Sequence, residues 1–238
     1  MEKIIDFKDL KKYDLHTHTS YSKCSILTVE KSLKTALKRG LDGIAITDHN
    51  TVKGAFEAVK LFKHDFCKRA KNQDFEVIVG EEIRTDHGEI LAYYLNERIK
   101  PGNIFEVLDK IREQDAMASV AHPVTLFRKQ VGLGLEKTDW QNIMKKIDAI
   151  ESFNSRNLFS YVNRRCEHFA EKYSVAKTAG SDAHFWFEIG SAYTLFPKKL
   201  SLMEAIRKKK TEVTGTTKYA FIGMPLSVFV QRMKLITI

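Results

Sequence analysis

Cysteine is scarce in this sequence, and long apolar runs are missing. The 238 residues include three cysteines, Cys24, Cys67 and Cys166, which are too few and too scattered for a disulfide framework. The opening stretch Met1–Asp6 has no apolar segment of the kind that a secretory signal needs. No uninterrupted apolar run reaches the length of a transmembrane helix. We therefore expect a protein of the reducing cytoplasm, without a membrane partner.

Nucleotide-binding motifs are also lacking. No Gly-x-Gly-x-x-Gly sequence and no P-loop opens a predicted helix, so nothing in the sequence supports a nucleotide cofactor. The composition is that of an ordinary globular chain, with 43% hydrophobic and 29% charged residues, and the length suits a single domain over 1–238. The formal net charge of +9 favours an anionic, phosphorylated partner, and solubility explains it equally well.

Strand-like and helix-like segments alternate along the chain. Short apolar segments predict strands at 13–18, 43–47, 75–79, 90–95, 117–121, 148–153 and 174–179. Helical spacing predicts helices at 29–37, 51–70, 103–114, 140–146, 158–172 and 201–210, the first with Thr28 as its N-cap. This alternation indicates an α/β protein built from βα units around a mostly parallel sheet. Such a sheet places its active site at the carboxyl ends of its strands.

Metal-ligating residue types recur at the ends of the predicted strands. Five of the eight histidines do so: His16, His18, His49, His122 and His184. Carboxylates lie beside them at Asp48, Glu82 and Asp182. His16 and His18 are two residues apart, so on an extended strand they point to the same face. Imidazole with carboxylate suits Zn, Mn or Fe. A hydroxide held between two such ions is a nucleophile that can attack a phosphate ester near neutral pH.

Five short motifs, in a fixed order, carry a resemblance to a known family. They are Asp14-Leu-His16-Thr-His18, Ile46-Thr-Asp48-His49, Gly80-x-Glu82, Ala121-His122-Pro123 and Gly180-Ser-Asp182-Ala-His184. This series resembles the PHP (polymerase and histidinol phosphatase) family over about residues 13–196. The resemblance implies a distorted (β/α)7 TIM-like barrel. It also implies two or three divalent metal ions, Zn, Mn or Fe, at the C-terminal ends of the strands.

The resemblance also implies a role for each matching residue. The first metal would take His16, His18, Glu82 and Asp182. Glu82 would bridge to a second metal, held also by His122, and a third metal would take His49 and His184. Asp48 would orient an imidazole through a hydrogen bond. The expected catalytic residues are His16, His18, Glu82, Asp182 and His184.

Two positions depart from the pattern that the resemblance implies. Where related chains often carry Asp or His after the His-x-His motif, this sequence has Cys24, which either ligates the third metal as a thiolate or is a small buried loop residue. Seven residues after Glu82, where a histidine is usual, it has Glu89. We expect Glu89 to be an oxygen ligand of the second metal, in preference to His87, because Glu89 is the residue that aligns.

Substrate-binding residues are predicted on chemical grounds alone. Arg156, Arg84 and Arg128 follow strand ends and could hold a phosphate group, with Arg156 and Arg84 preferred. The lysine runs at 198–199 and 208–210 are best explained by solvation and by the helix dipole. The apolar extension over 211–238 is expected to pack on the barrel, with a dimer contact as the alternative. The oligomeric state stays open.

These residues predict a hydrolase that cleaves phosphate esters. Small phosphomonoesters, resembling a nucleotide or histidinol phosphate, are the favoured substrates, because no nucleic-acid-binding module is visible. One alternative is an exonuclease or phosphatase that acts on oligonucleotide ends. Another is a non-catalytic, metal-binding PHP interaction module. A barrel amidohydrolase is poorly supported, because Lys177, the lysine that would be carbamylated, lies within a predicted strand.

Overall fold

The computed structural model describes residues 9–66, 74–124 and 137–236. Within these ranges the strands are β1 (Leu10–Asp14), β2 (Gly43–Ile46), β3 (Glu76–Thr85), β4 (Gly88–Tyr93), β5 (Met117–Val120), β6 (Ala149–Asn154), β7 (Ala176–Gly180), β8 (Ala192–Pro197) and β9 (Glu212–Gly215). The helices are α1 (Val29–Lys38), α2 (Lys53–Leu61), α3 (Ile104–Glu113), α4 (Lys137–Lys146), α5 (Ser160–Lys172), α6 (Leu202–Arg207) and α7 (Ala220–Ile236). Residues Phe62–Phe66 continue α2 as a π-helical turn. The part of the predicted helix beyond Phe66 lies outside the described residues.

The described strands form one sheet in the order β7-β6-β5-β4-β3-β2-β1-β8-β9. The strands β1, β2 and β3 pair in parallel, and so do β5, β6 and β7. The two parallel halves approach each other where the Leu15 amide donates to the Ala179 carbonyl at 3.3 Å. The Ala179 amide in turn donates to Oγ1 of Thr194 at 2.8 Å. The sheet is therefore a nearly closed barrel, which confirms the predicted α/β barrel class.

A regular (β/α)7 repeat is not found in the described parts of the chain. The third strand continues through Gly80 to Thr85 and turns back at 86–87, so β3 and β4 form an antiparallel hairpin in the barrel wall. Strand β4 is antiparallel to β5 as well. The strands β8 and β9 extend the sheet beyond β1 as antiparallel neighbours that the apolar pattern did not predict. Reversal of β4 explains how Glu82 and Glu89 face the same site from one hairpin.

Helix termini follow local sequence signals. The predicted N-cap of α1 is confirmed, because the Thr28 side chain accepts from the Lys31 amide. Asn103 caps α3 in the same way, and Ser201 with Glu204 forms a capping box at α6. The helices cover the sheet with apolar residues, such as Ile104 and Leu108 of α3 in one of the buried clusters. Among the residues that the structure describes, no helix combines the length and apolarity that crossing a bilayer requires.

The C-terminal helix α7 contacts the barrel mainly through polar groups. Near its start, the Gly223 carbonyl and the Ser227 hydroxyl accept hydrogen bonds from Arg156. Near its end, the Lys234 ammonium donates to carbonyl oxygens in the loop after β1. Most of its large apolar side chains are exposed: Phe221, Ile222, Leu226, Val228, Phe229, Met233 and Leu235. The packing of 211–238 as a unit stays a prediction.

Closure of the barrel depends on one close backbone contact. A Cβ atom at Gly180 would lie 2.2 Å from the Cβ of His16 and 2.6 Å from its backbone nitrogen. No side chain can move away to relieve this overlap, because the neighbouring atoms belong to the His16 backbone and its Cβ. The end of β7 can therefore meet the chain after β1 only if residue 180 is glycine.

We predict that Gly180→Ala lowers the free energy of unfolding by about 2 kcal/mol or more, because a methyl group forced into a packed contact displaces the backbone. Urea denaturation measures this change through its midpoint. The matched control is Gly102→Ala, since a Cβ at Gly102 has no neighbour within 4 Å and should be neutral or slightly stabilising. Equal midpoints for the two variants would show that the contact does not constrain closure.

Candidate metal centre

The loops at the carboxyl ends of the strands bring the predicted ligands into one cluster. Its members are His16, His18, His49, Glu82, Glu89, His122, Asp182 and His184. Most of these side chains are fully buried, while those of His49 and Glu89 keep 32% and 19% of their surface exposed. The cluster therefore opens to solvent on the side where His49 and Glu89 lie.

The first group of ligand atoms is the tightest. The Nε2 atoms of His16 and His18 are 3.1 Å apart. Oδ1 of Asp182 lies 3.7 and 3.2 Å from them, and the carboxylate oxygens of Glu82 lie 3.5 and 3.4 Å from them. Four ligands at tetrahedral positions around an ion such as zinc would lie roughly 3.4 Å apart. The donor atoms of His16, His18 and Asp182 therefore have about the spacing that one divalent ion requires, and Glu82 lies beside them with Oε1 toward His16 and Oε2 toward His18.

A second group forms on the other side of Glu82. Its Oε1 atom lies 3.1 Å from Nε2 of His122, and Oε2 of Glu89 lies 3.5 Å from the same nitrogen. Glu89 reaches this position because it pairs with Arg84 across the β3–β4 hairpin. His87 lies in the turn of the hairpin, and its backbone amide donates to the Thr85 side chain.

A third group contains histidines from three different loops. Ligand atoms of His18, His49 and His184 lie within 4.8 Å of one another. The Nδ1 atom of His49 is also 2.7 Å from Oε2 of Glu82, so this group shares its carboxylate neighbour with the first. Cys24 belongs to the same region, because its Sγ atom is 3.0 Å from Nε2 of His184.

Glu151 is a site residue that the sequence reasoning missed. Its Oε1 accepts from Nδ1 of His16 at 2.8 Å, and its Oε2 accepts from the His122 amide at 2.8 Å. The first contact fixes the His16 tautomer, so that Nε2 presents its lone pair to the cluster. The sequence did carry a signal for Glu151. It is a carboxylate in the otherwise uncharged second half of the predicted strand 148–153, and a charged residue in a buried strand indicates a functional contact.

Two other buried carboxylates, Asp48 and Asp14, accept hydrogen bonds from backbone amides and hydroxyl groups of the surrounding loops. Asp48, predicted to orient an imidazole, accepts from the amide and hydroxyl of Thr19 and from the hydroxyl of Ser22. The loop after the histidine pair folds back over Asp48, so no direct hydrogen bond from Asp48 to an imidazole is found among the described residues. The Ser22 hydroxyl that donates to Asp48 lies 3.4 Å from Nδ1 of His18, between the carboxylate and that imidazole. Asp14 accepts from two backbone amides in the loop after β7, those of Ser181 and Gly190.

The backbone is strained at two of the predicted ligands. His122 has φ 26° and Asp182 has φ 53°, both in the left-handed region that favours glycine. Non-glycine residues in this region cost free energy and persist only where the surrounding contacts fix them, often at functional sites. The Asp182 carbonyl, set in this conformation, accepts a hydrogen bond from Nδ1 of His184 at 2.8 Å.

Electrostatics in the cluster favour bound positive charge. Burial lowers the pKa of His16, but Glu151 and the other carboxylates raise it more, and the net pKa lies well above its usual value. The same balance, dominated by Glu82, raises the pKa of His49. Burial and the neighbouring His49 lower the pKa of His18 to about 3. The carboxylates therefore favour positive charge at His16 and His49, and the positive charge of a divalent cation would be stabilised at the same place.

The predicted phosphate-binding arginines differ in their surroundings. The Arg156 guanidinium is buried and donates to both oxygens of Glu188, at 3.0 Å each, as well as to Ser227 and the Gly223 carbonyl. Four of its five N–H groups are engaged in these contacts, and the phosphate-binding role of Arg156 stays a prediction. Arg84 is exposed beside Glu89 and keeps that role as a prediction. Arg128 lies outside the described residues.

Comparisons with known proteins found a family model and relatives that match this chain. The family model PHP_C, described as PHP-associated, matches residues 161–211. The uncharacterized protein MJ0417 of Methanocaldococcus jannaschii is 36% identical over 187 residues, which cover 78% of this chain and 70% of that protein. A probable phosphatase of Acetivibrio thermocellus is 26% identical over 219 residues, covering 81% and 86% of the two chains.

Solved structures share the fold. A two-domain protein of Bacteroides vulgatus that contains a predicted PHP-like metal-dependent phosphoesterase superposes with a TM-score of 0.69 at 17% identity, over 87% of this chain and 65% of that one. Endonuclease Q in complex with a 27-mer duplex superposes with a TM-score of 0.57 at 20% identity, over 84% and 56%. The barrel, its ligand cluster and these relatives agree in pointing to the PHP family. The chain belongs to the PHP family.

We predict that Glu151→Gln weakens zinc binding by about 10- to 100-fold. The carboxylate of Glu151 accepts the hydrogen bond from Nδ1 of His16, and a neutral amide in its place orients that imidazole less strongly. Competition titration against a chromophoric chelator measures the affinity. The control is Glu113→Gln, which removes an exposed carboxylate that pairs with Lys110 away from the cluster. Unchanged affinity in Glu151→Gln would mean that the hydrogen bond does not support the metal ligand.

Proposed function

We propose that this protein hydrolyses a small phosphomonoester with two or three divalent metal ions, Zn, Mn or Fe. The observation that carries the proposal is the sharing of Glu82 among the ligand groups, since its two oxygens face His122 at 3.1 Å and His49 at 2.7 Å. A carboxylate placed in this way can join neighbouring ions. Paired ions are suited to hydrolysis of phosphate esters.

The proposed ligands follow the three groups. The first ion would be held by His16, His18, Glu82 and Asp182; the second by Glu82, Glu89 and His122; the third by His49 and His184. When bound, such ions lower the pKa of coordinated water and neutralise the charge of the reacting phosphate. His16, His18, Glu82, Asp182 and His184 are the residues we propose as catalytic.

The chain's own residues would orient the ligands and receive the substrate. Glu151 keeps His16 in the tautomer that faces the cluster. The open side, between His49 and Glu89, is where a phosphate group would enter. Arg84 is exposed beside Glu89 and could form charge-assisted hydrogen bonds with that group.

A nucleic-acid substrate is the second candidate. The net charge of +9 and the fold shared with endonuclease Q favour it. Activity on oligonucleotide ends would then fall steeply with salt concentration, because phosphate contacts along the strand release counterions. Weak salt dependence, with turnover of small phosphomonoesters, would favour the first candidate. A third reading, a metal-binding module without catalysis, predicts bound metal and no turnover of either substrate.

We predict that the purified protein contains two or more divalent ions per chain and hydrolyses p-nitrophenyl phosphate. Chelation should abolish this activity, and Glu82→Gln should lower it by about 100-fold or more, because a shared charged ligand is lost. Elemental analysis and initial rates are the measurements.

The control for Glu82→Gln is His64→Ala, which removes an exposed histidine in the π-helical turn after α2. Its activity and metal content should equal those of the unmodified protein. Full turnover in a correctly folded Glu82→Gln variant, or in metal-free protein, would refute the proposal.

We predict that Arg84→Ala raises KM for phosphomonoesters about tenfold and changes kcat little, because a charge-assisted hydrogen bond to the bound phosphate is lost. Steady-state kinetics separate the two constants. Arg112→Ala, at the exposed end of α3, serves as the charge-matched control. The same KM in both variants would exclude Arg84 from substrate binding.

A further inference from the structure

Cys24 lies where an additional metal ligand would complete the third group. Its Sγ atom is 3.0 Å from Nε2 of His184, whose ligand atoms lie within 4.8 Å of those of His49. Sulfur and nitrogen ligands of one tetrahedral zinc ion lie about 3.6 Å apart, so a small outward shift would admit an ion between them. The thiol is partly accessible, whereas Cys166 is fully buried elsewhere.

The His184 imidazole, which faces Cys24, has one ring nitrogen free of a proton and able to bind a metal ion. Nδ1 of His184 lies 2.8 Å from the Asp182 carbonyl oxygen, which can only accept, so Nδ1 carries the proton. Nε2 is then unprotonated and directs its lone pair toward Sγ of Cys24. A backbone carbonyl that fixes the tautomer in this way is a common support for a metal-bound histidine.

The loop that carries Cys24 is held against the loop that carries His184. The Ser25 hydroxyl, next to Cys24, donates to the His184 carbonyl at 2.8 Å. From outside, the Lys234 ammonium of α7 donates to the carbonyl oxygens of Ser20, Ser22 and Ser25, the last at 2.7 Å. These contacts hold the backbone next to Cys24 in a fixed position relative to His184.

We propose that Cys24 is a thiolate ligand of the third metal site, together with His49 and His184. This inference rests on the proposed function, and it specifies the chemical class of the third ion. Thiolate with two imidazoles selects a sulfur-binding divalent ion such as zinc over manganese or magnesium, whereas the carboxylate-rich first two groups accept either kind. When the sulfur–metal bond forms, the thiol proton leaves to solvent, and no oxidant or reductant is involved.

Cobalt substitution of the full chain tests the assignment, because Co²⁺ bound to a thiolate shows a near-ultraviolet sulfur-to-metal charge-transfer band. We expect this band in the unmodified protein and its loss in Cys24→Ser and Cys24→Asp. Cys24→Asp should keep the cobalt content, since an oxygen ligand replaces sulfur, while Cys24→Ser should bind about one ion fewer per chain. Cys166→Ala and Cys67→Ala should both retain the band.

The outcomes separate this inference from the proposed function. Cobalt bound with phosphoesterase activity but no charge-transfer band would overturn the thiolate ligand and leave the phosphoesterase intact. A band that persists in Cys24→Ser would also overturn it. A chain that binds no cobalt or zinc would overturn both. Loss of the band in both Cys24 variants, with the cobalt counts given above, would establish the ligand.

Discussion

The buried carboxylate of Glu82 is the constraint on which the rest of the site depends. It is fully buried near the middle of the cluster, and four histidines approach its two oxygens within 3.5 Å. A charged group removed from water in this way needs compensating positive charge. The neighbouring His49 and His16 supply it, and together they bring the pKa of Glu82 well below its usual value although burial alone would raise it.

The barrel provides the rigidity that this arrangement needs. Asp14 at the end of β1 accepts from backbone amides after β7, and Glu188 accepts from the amides of His184 and Phe185. Glu188 in turn is held by Arg156, which the sequence suggested as a substrate residue. Charged residues around the cluster thus mainly fix loop backbones, and ions bound at the centre would meet ligands that are already oriented.

Much of the site could be predicted from sequence, because polar residues directly after apolar strands mark the carboxyl ends of a sheet. The positions of the ligand histidines and of Glu89 followed from the order of the motifs, and these side chains lie in the cluster. His87, the alternative to Glu89, lies in the turn of the hairpin. The reversed strand β4 could not be predicted, since an apolar segment carries no sign of its direction. The hydrogen-bond partners of Arg156 and Asp48 could not be predicted either, because hydrogen bonds between loops that are far apart in sequence leave no local sequence pattern.

The lysine near the end of α7 has a consequence for the loop after β1. Three carbonyl oxygens of that loop converge on the ammonium of Lys234, much as carbonyls surround a bound monovalent cation. The loop is also held from inside by Asp48 and by the His184 carbonyl, and the ammonium adds a contact from the last helix. Acylation of the Lys234 amine would leave those oxygens without their shared donor. A chemical change on the surface of the last helix would therefore reach the segment that carries Cys24.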